Sequence, residues 1–448
     1  MSRAAASHPT SSEGAVSRQQ GNGAAQFAWA LFDWANSPFT TLIITFVFPA
    51  YFATAIIGDQ VRGQAIWGYA IGASGLAVAV LSPPLGAIAD VGGRRKPWIM
   101  GFTLVCIAAT ALLWFATPSV ASAPLALACV VIANLGFEFG TTFNNAMLPD
   151  IAPEERLGRL SGWAWGLGYA GGLAALAVAL VAFIQPAIPP FGLDREYAEH
   201  VRIIGPLVAI WFGLFVWPLF VFTPDRPGRR LAFAAAICEG LRTLRYTFKE
   251  LRAGREVPLF LLAHMLYADG LTTLFVFGGI YVSGTFGMTL SEVIVFGVVL
   301  NLAAGLSAFL FGWVDDWIGS RPTATLALAG LIVASIAAVS VQTRPWLWAA
   351  GCFIGLFVGP VQAASRSLMA RLSPPNQQAE YFGLFALSGK ATAFVGPVVV
   401  AIVTDATGSQ RLGLATIIAF LLTGLVLLQA SGARERRSKA GDGGGDGA

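Results

Sequence analysis

A chain of 448 residues that is 56% hydrophobic and only 12% charged is not a soluble globular protein, in which about a quarter of residues carry charge. The net charge of +4 is small, and no basic stretch in a folded soluble region is interleaved with aromatics, which excludes a nucleic-acid surface. The three histidines are scattered, and Cys106, Cys129, Cys238 and Cys352 form no Cys-x-x-Cys pair, so no metal set is expected and the cysteines read as small buried hydrophobes.

Residues 1–26, rich in Ser, Ala, Gly and Gln, read as a disordered cytoplasmic tail without the pattern of a secretory leader. Twelve apolar stretches follow, near 27–57, 64–85, 97–117, 124–148, 161–184, 203–222, 257–283, 291–311, 323–341, 346–369, 381–404 and 411–430. A helix crossing a bilayer needs about 20 such residues, and in lipid only a helix satisfies its own backbone. The expected fold class is therefore all-α integral membrane, with twelve transmembrane helices. Two six-helix bundles (27–223 and 257–430) are joined by a linker at 224–256, and a second disordered tail covers 431–448.

The first span opens with "LFDWANSPFTT" (31–41), where Asp33, Asn36, Ser37 and Thr40 share one helix face. A carboxylate there reads as a solute or proton contact, as a helix N-cap, or as a latch between the halves with Arg366 or Lys390 as its partner. The second span ends in "GAIADVGGRR" (86–95). In the fourth, Asn134, Glu138, Thr141 and Asn145 form one polar stripe, which lipid would not tolerate. Glu138 reads as a titrating carboxylate, or as the permanent partner of Lys390 or Arg366.

The linker (229–256) reads as an amphipathic helix whose apolar face lies on the membrane while Arg and Lys meet anionic headgroups. The seventh span holds Asp269, near the place Asn36 or Ser37 takes in the first, and His264, read as a satisfied histidine. The eighth ends in "GWVDDWIGSR" (312–321). Arg366, one turn beyond Gln362 in the tenth, offers a planar fork to a carboxylate or bridges two helices. Lys390, in the eleventh, binds an anionic group or neutralises Glu138. A charge at the bilayer centre costs about 2.5–3.5 kcal/mol even on lenient scales, so these groups are expected to line a cavity or to pair.

The two halves repeat. Gly86, Asp90, Gly93 and Arg95 match Gly312, Asp316, Gly319 and Arg321 at an offset of 226; Pro153, Gly162 and Gly168 match Pro374, Gly383 and Gly389 at 221. Of the 28 basic residues, 21 fall on the side of the termini, and only Arg62, Arg195, Arg202, Arg344 and Arg411 on the other, which places both termini in the cytoplasm.

The motif G-x-x-x-D-x-x-G-R-R with its weaker copy resembles the signature of the major facilitator superfamily, and the resemblance spans nearly the whole chain. "LFDWANSPFTT", "GFEFGTTFNNAMLPDIAP" (136–153), "LYADGLTT" (266–273) and "VQAASRSLMARLSPP" (361–375) are similar to the vacuolar amino-acid effluxer family linked to autophagy and its bacterial relatives. This chain departs from that pattern at Pro38, which predicts a kinked first helix, and at Asn144.

The resemblance implies a bundle pair that rocks about a central site. It places Asp90 at the N-terminus of helix 11, anchored by Arg94 and Arg95, and has Asp316 and Arg321 repeat the clamp against helix 5. The implied function is secondary transport of a small polar solute, with amino acids and proton coupling as candidates, through a monomer in the inner membrane whose partners are the solute and membrane lipids. No nucleotide cradle, HExxH or GxSxG occurs, so no cofactor and no ATP are expected. The competing readings are a lipid translocator of the same superfamily and a membrane-embedded lipid-modifying enzyme.

Overall fold

The computed structural model describes residues 22–228, 233–288 and 290–432, and is all-helical over them. The tail assignments for 1–21 and 433–448 lie outside the described residues. Among the described residues, twelve helices are long and apolar enough to cross a membrane: α1 Gly23–Ile56, α2 Arg62–Gly92, α3 Lys96–Phe115, α4 Val120–Ile151, α5 Glu154–Ile184, α6 Glu199–Phe222, α7 Glu256–Phe286, α8 Val295–Ile318, α9 Ser320–Ser340, α10 Arg344–Leu372, α11 Gln378–Thr407 and α12 Gln410–Ser431.

Several helices overrun their apolar stretches at the end nearest the chain termini. Residues 23–26, read above as tail, form the first turn of α1 because the Asn22 side chain accepts the Ala24 N–H at 3.0 Å. Asp33 therefore sits almost three turns inside α1 and is not its cap. Pro38 leaves the Trp34 carbonyl without its usual donor. The Trp211 indole N–H supplies one at 3.3 Å, its ring stacked on Trp34 at 5.6 Å, and the chain passes into a π-helix at Phe39–Phe46.

α11 is broken. An inner part, Gln378–Lys390, and an outer part, Val395–Thr407, flank a turn over 391–394. Pro397 offers no N–H to the Ala393 carbonyl and crowds it, so the helix cannot run through this point.

Packing follows the internal repeat. In the first half α1 packs on α5 and α6, α3 on α4 and α6, and α2 on α4; in the second, α7 packs on α11 and α12, α9 on α10 and α12, and α8 on α10. The halves meet along two equivalent seams, α2 against the inner part of α11 and α5 against α8. Glycine makes both possible. A Cβ on Gly86 would stand 2.3 Å from the Ala379 carbonyl oxygen, and one on Gly383 2.5 Å from that of Ser82. In the other seam, Gly162 would meet the Ala308 oxygen at 2.4 Å and Gly312 the Arg159 Cα at 2.9 Å. The glycines that repeat in the sequence are the ones on which the two seams close.

The linker helix, Phe233–Ala253, seats Gly240 on Ile88 of α2. Part of its surface is thus given to the bundle, where the sequence reading assigned it wholly to membrane and solvent.

Candidate functional site

The end of the molecule near the termini is held shut by a layered network. In its outermost layer Asp90, in the last turn of α2, accepts the Glu380 N–H at 2.9 Å in the first turn of α11. A carboxylate is stabilised there by the unpaired amides and the positive end of the helix. At the equivalent place Asp316 accepts the Arg159 N–H at 3.1 Å and the Arg159 Nε at 3.2 Å in the first turns of α5.

Arg95 is fully buried. It pairs with Asp150 at 2.7 Å and Asp90 at 3.3 Å, and donates to Gln378 Oε1 at 2.9 Å and to the Ala146 carbonyl. Burial pulls its pKa down, and Asp150 and then Asp90 oppose that pull. Arg226 also bridges Asp150 at 2.7 Å and donates to Gln378.

Two assignments of the sequence reading change here. Arg94 is exposed, lies against Gly228, and does not share the buried anchoring of Arg95. Arg321 pairs at 2.6 Å with Glu256 at the start of α7, in its own half, where the sequence reading set it against helix 5. Gly93 and Gly319 both take positive φ, 83° and 93°, in the turns that close the motif. Behind Asp316, Asp315 is buried, accepting from Ser320 Oγ at 2.7 Å and from Ser367 Oγ, with Arg371 at 3.7 Å. Sequence reasoning passed over Asp315, although two adjacent acids at a helix end could have drawn attention to it.

Deeper in, Arg366 of α10 crosses to the first half. Its Nη1 lies 2.7 Å from Asp33 Oδ2 and 3.2 Å from Asn145 Oδ1, its Nε donates to Ser161 Oγ at 2.9 Å and its Nη2 to the Ser161 carbonyl at 2.6 Å. Trp29 and Trp165 lie against the guanidinium, 5.1 and 5.6 Å from its centre. All three nitrogens of the fork donate, through four hydrogen bonds, which is what makes a buried arginine tolerable. Ser161 and the two tryptophans were missed by the sequence; the only pointer was the repeating Gly162 next door.

The innermost cross-half ion pair is Lys390 with Glu138, at 2.7 Å. It is the wettest of the deep pairs, the side chains being 37% and 16% exposed against 4% and 11% for Arg366 and Asp33. Lys390 ends the inner part of α11, where the helix dipole favours a cation. Tyr169 Oη donates to Gln362 Oε1 at 2.7 Å, also across the halves.

Asn134 and Thr141 of the α4 stripe are engaged within the first half: Asn134 Nδ2 donates to Ser74 Oγ at 2.8 Å, and Asn36 Nδ2 to Thr141 Oγ1 at 3.5 Å. Asp269 is not brought to these pairs; it lies at the break in α11, accepting the Gly396 N–H at 3.2 and 3.1 Å. His264 stacks on Phe385 with ring centroids 3.9 Å apart, and its Nδ1 bonds Ser388 Oγ at 2.6 Å. Among the described residues no group of His, Cys, Asp and Glu is placed to hold a metal.

Among the described residues, the ion pairs and side-chain hydrogen bonds between the halves fall between the terminal end and the middle of the helices. Beyond Lys390, the outer part of α11 packs on α12 and α7 of its own half, and Phe394 and Ile402 are exposed. The molecule is closed at one end by matched seams, with a charged pair at the inner limit of the closure.

Comparison with known proteins agrees with this geometry. Residues 53–441 match the family described as "Vacuole effluxer Atg22 like". A Bacillus subtilis protein named as an uncharacterized MFS-type transporter, YxiO, is 27% identical over 404 residues, covering 90% of this chain and 93% of its own. Autophagy-related protein 22 of Cryptococcus neoformans is 26% identical over 290 residues, 60% of this chain, and the match spans only 49% of that longer protein. Among solved structures, the human organic anion transporter MFSD10 superposes with a TM-score of 0.70 at 16% identity, over 91% of this chain and 99% of its own.

Proposed function

Since this chain belongs to the vacuole effluxer Atg22-like family of major facilitator transporters, and is a multi-pass membrane transporter and not an enzyme, we propose that it exports a small zwitterionic solute of the amino-acid type by alternating access. The observation that carries this reading is the Glu138–Lys390 pair. It joins the two halves, sits where their contacts end, and is partly open to solvent. A solute with an ammonium and a carboxylate matches both ends of that pair. By exchanging one intramolecular ion pair for two contacts of its own, it would lower the cost of separating the halves. Asp33 and Arg366, sealed by Ser161, Trp29 and Trp165, are assigned to the latch and not to the solute.

The export direction is supported by the family's description, and the cytoplasmic placement of both termini by the distribution of basic residues. Both seams are internal to one chain, which supports a monomer in the inner membrane.

The test is counterflow of labelled amino acids in liposomes holding the purified chain. A charge-assisted contact contributes about 1.5–3 kcal/mol, so Lys390→Gln and Glu138→Gln should each weaken solute binding at least about tenfold while the protein stays folded. Counterflow unaffected by either substitution, or equal counterflow of an uncharged sugar, would overturn the assignment.

A further inference from the structure

Three acids lie deep within the spans, and two of them, Asp33 and Glu138, are paired with cations. Asp269 is 1% exposed, and its carboxylate meets one backbone amide, that of Gly396. Among the described residues no Lys, Arg or His stands within ion-pair distance of it.

The charged and titratable groups around it are held elsewhere. On α7 itself, His264 bonds Ser388 and Tyr267 bonds Ser365. On the helices packed against α7, Lys390 holds Glu138, Arg366 holds Asp33, Arg411 donates to the Val339 and Val341 carbonyls, and Asp405 is exposed. The α8 acids Asp315 and Asp316 sit in the terminal network, and Glu292 pairs with Arg344 at the other end.

Gly396 lies in the first turn of the outer part of α11, a helix of 13 residues, and Asp269 ties that turn to α7. Contact there is so close that a Cβ on Gly396 would stand 2.1 Å from Thr273 Oγ1 and 2.9 Å from Asp269 Oδ1. The bond is strongest while Asp269 is a carboxylate, since the helix start carries about half a positive charge. Yet a charge at this depth without a cation costs several kcal/mol. A proton removes that cost and at the same time weakens the hold on the outer part of α11.

We propose that Asp269 is the carboxylate that carries the coupling proton, and that its protonation frees the outer part of α11 to swing toward α2 and close the open end. The proposal rests on the transporter reading above. The proton enters from the open end, binds one Asp269 oxygen, and leaves from it after the terminal end has opened. The charge of Glu138, by contrast, is balanced by Lys390.

The test is infrared difference spectroscopy of the purified full chain in lipid during a pH titration, which needs no solute. A buried protonated-carboxyl band should appear as the pH falls in wild type, vanish in Asp269→Asn, and persist in Glu138→Gln. Asparagine can still accept from Gly396; should that variant not fold, Asp269→Glu should shift the band in frequency and midpoint. A band unchanged in Asp269→Asn or Asp269→Glu, or no titrating band in wild type, overturns the proposal. Failure of amino-acid counterflow would leave this band in place, so the two readings fail separately.

Discussion

Gly86→Val is expected to drive the protein out of the state described here. The added Cβ would stand 2.3 Å from the Ala379 carbonyl oxygen and 2.6 Å from its carbon, both backbone atoms of the inner part of α11 that cannot rotate away. Overpacking of this kind costs about 1–3 kcal/mol, occasionally more. If the opposite state parts α2 from α11, the whole cost falls on the closed one. At about 1.4 kcal/mol per tenfold, the closed population should drop by about 5- to 150-fold relative to the alternative. A cysteine placed in the seam, at Ser82, should become reactive to a polar thiol reagent from the terminal side, and counterflow should fall by a similar factor. Gly312→Val, at the equivalent place against Arg159, should do the same. Reactivity of Ser82→Cys that is the same in the Gly86→Val and wild-type backgrounds would show that the seam does not govern the state.

The second large effect concerns Arg366. Its removal strands the Asp33 carboxylate among buried groups, and breaking a buried pair from one side costs about 3–5 kcal/mol. Arg366→Met should therefore lower thermal stability strongly. Arg366→Met combined with Asp33→Leu should recover most of the loss, because the apolar pair leaves no buried charge. Recovery is limited by Ser161 Oγ and Asn145, which lose their donors. A purely solute-binding Arg366 predicts the reverse pattern: near-normal stability for the single variant. Denaturation midpoints of the two variants, measured without solute, separate these outcomes.

Much of the architecture was legible because the physics that builds it leaves periodic marks. Apolar runs of bilayer length announce the spans, and the offset between the two copies of the motif announces the repeat. The seams were legible in a sharper sense. Gly86 and Gly312, and Gly162 and Gly383, recur because backbone must touch backbone at those points, and no other residue permits it.

Pairing was not legible. Two acids and two bases in four different helices allow more than one matching, and the sequence does not state how each helix is rotated about its axis. Arg366 goes to Asp33 and Lys390 to Glu138 because α10 faces α1 and α5 across the terminal seam, while the inner part of α11 reaches to mid-membrane beside α4. Arg321 was misassigned for a related reason. The repeat conserves its spacing, but α9 begins at Ser320, so the side chain leaves the seam and meets Glu256. The break in α11 had a visible cause in Gly396–Pro397. Its consequence was not visible, because Asp269 lies 127 residues away in sequence.

In alternating access as proposed above, one seam, α2 against α11, closes at one end of the molecule while it opens at the other. Paired spin labels read that directly. Positions 94 and 376 straddle the seam at the terminal end; Gln64 and Ala406 are exposed on the same two helices at the far end. Distances measured by double electron–electron resonance in lipid should be short for 94/376 and long for 64/406 in wild type. Both should reverse together in the Gly86→Val background. Two distances that change independently, or a 94/376 distance that stays short when Gly86 is replaced, would contradict the account.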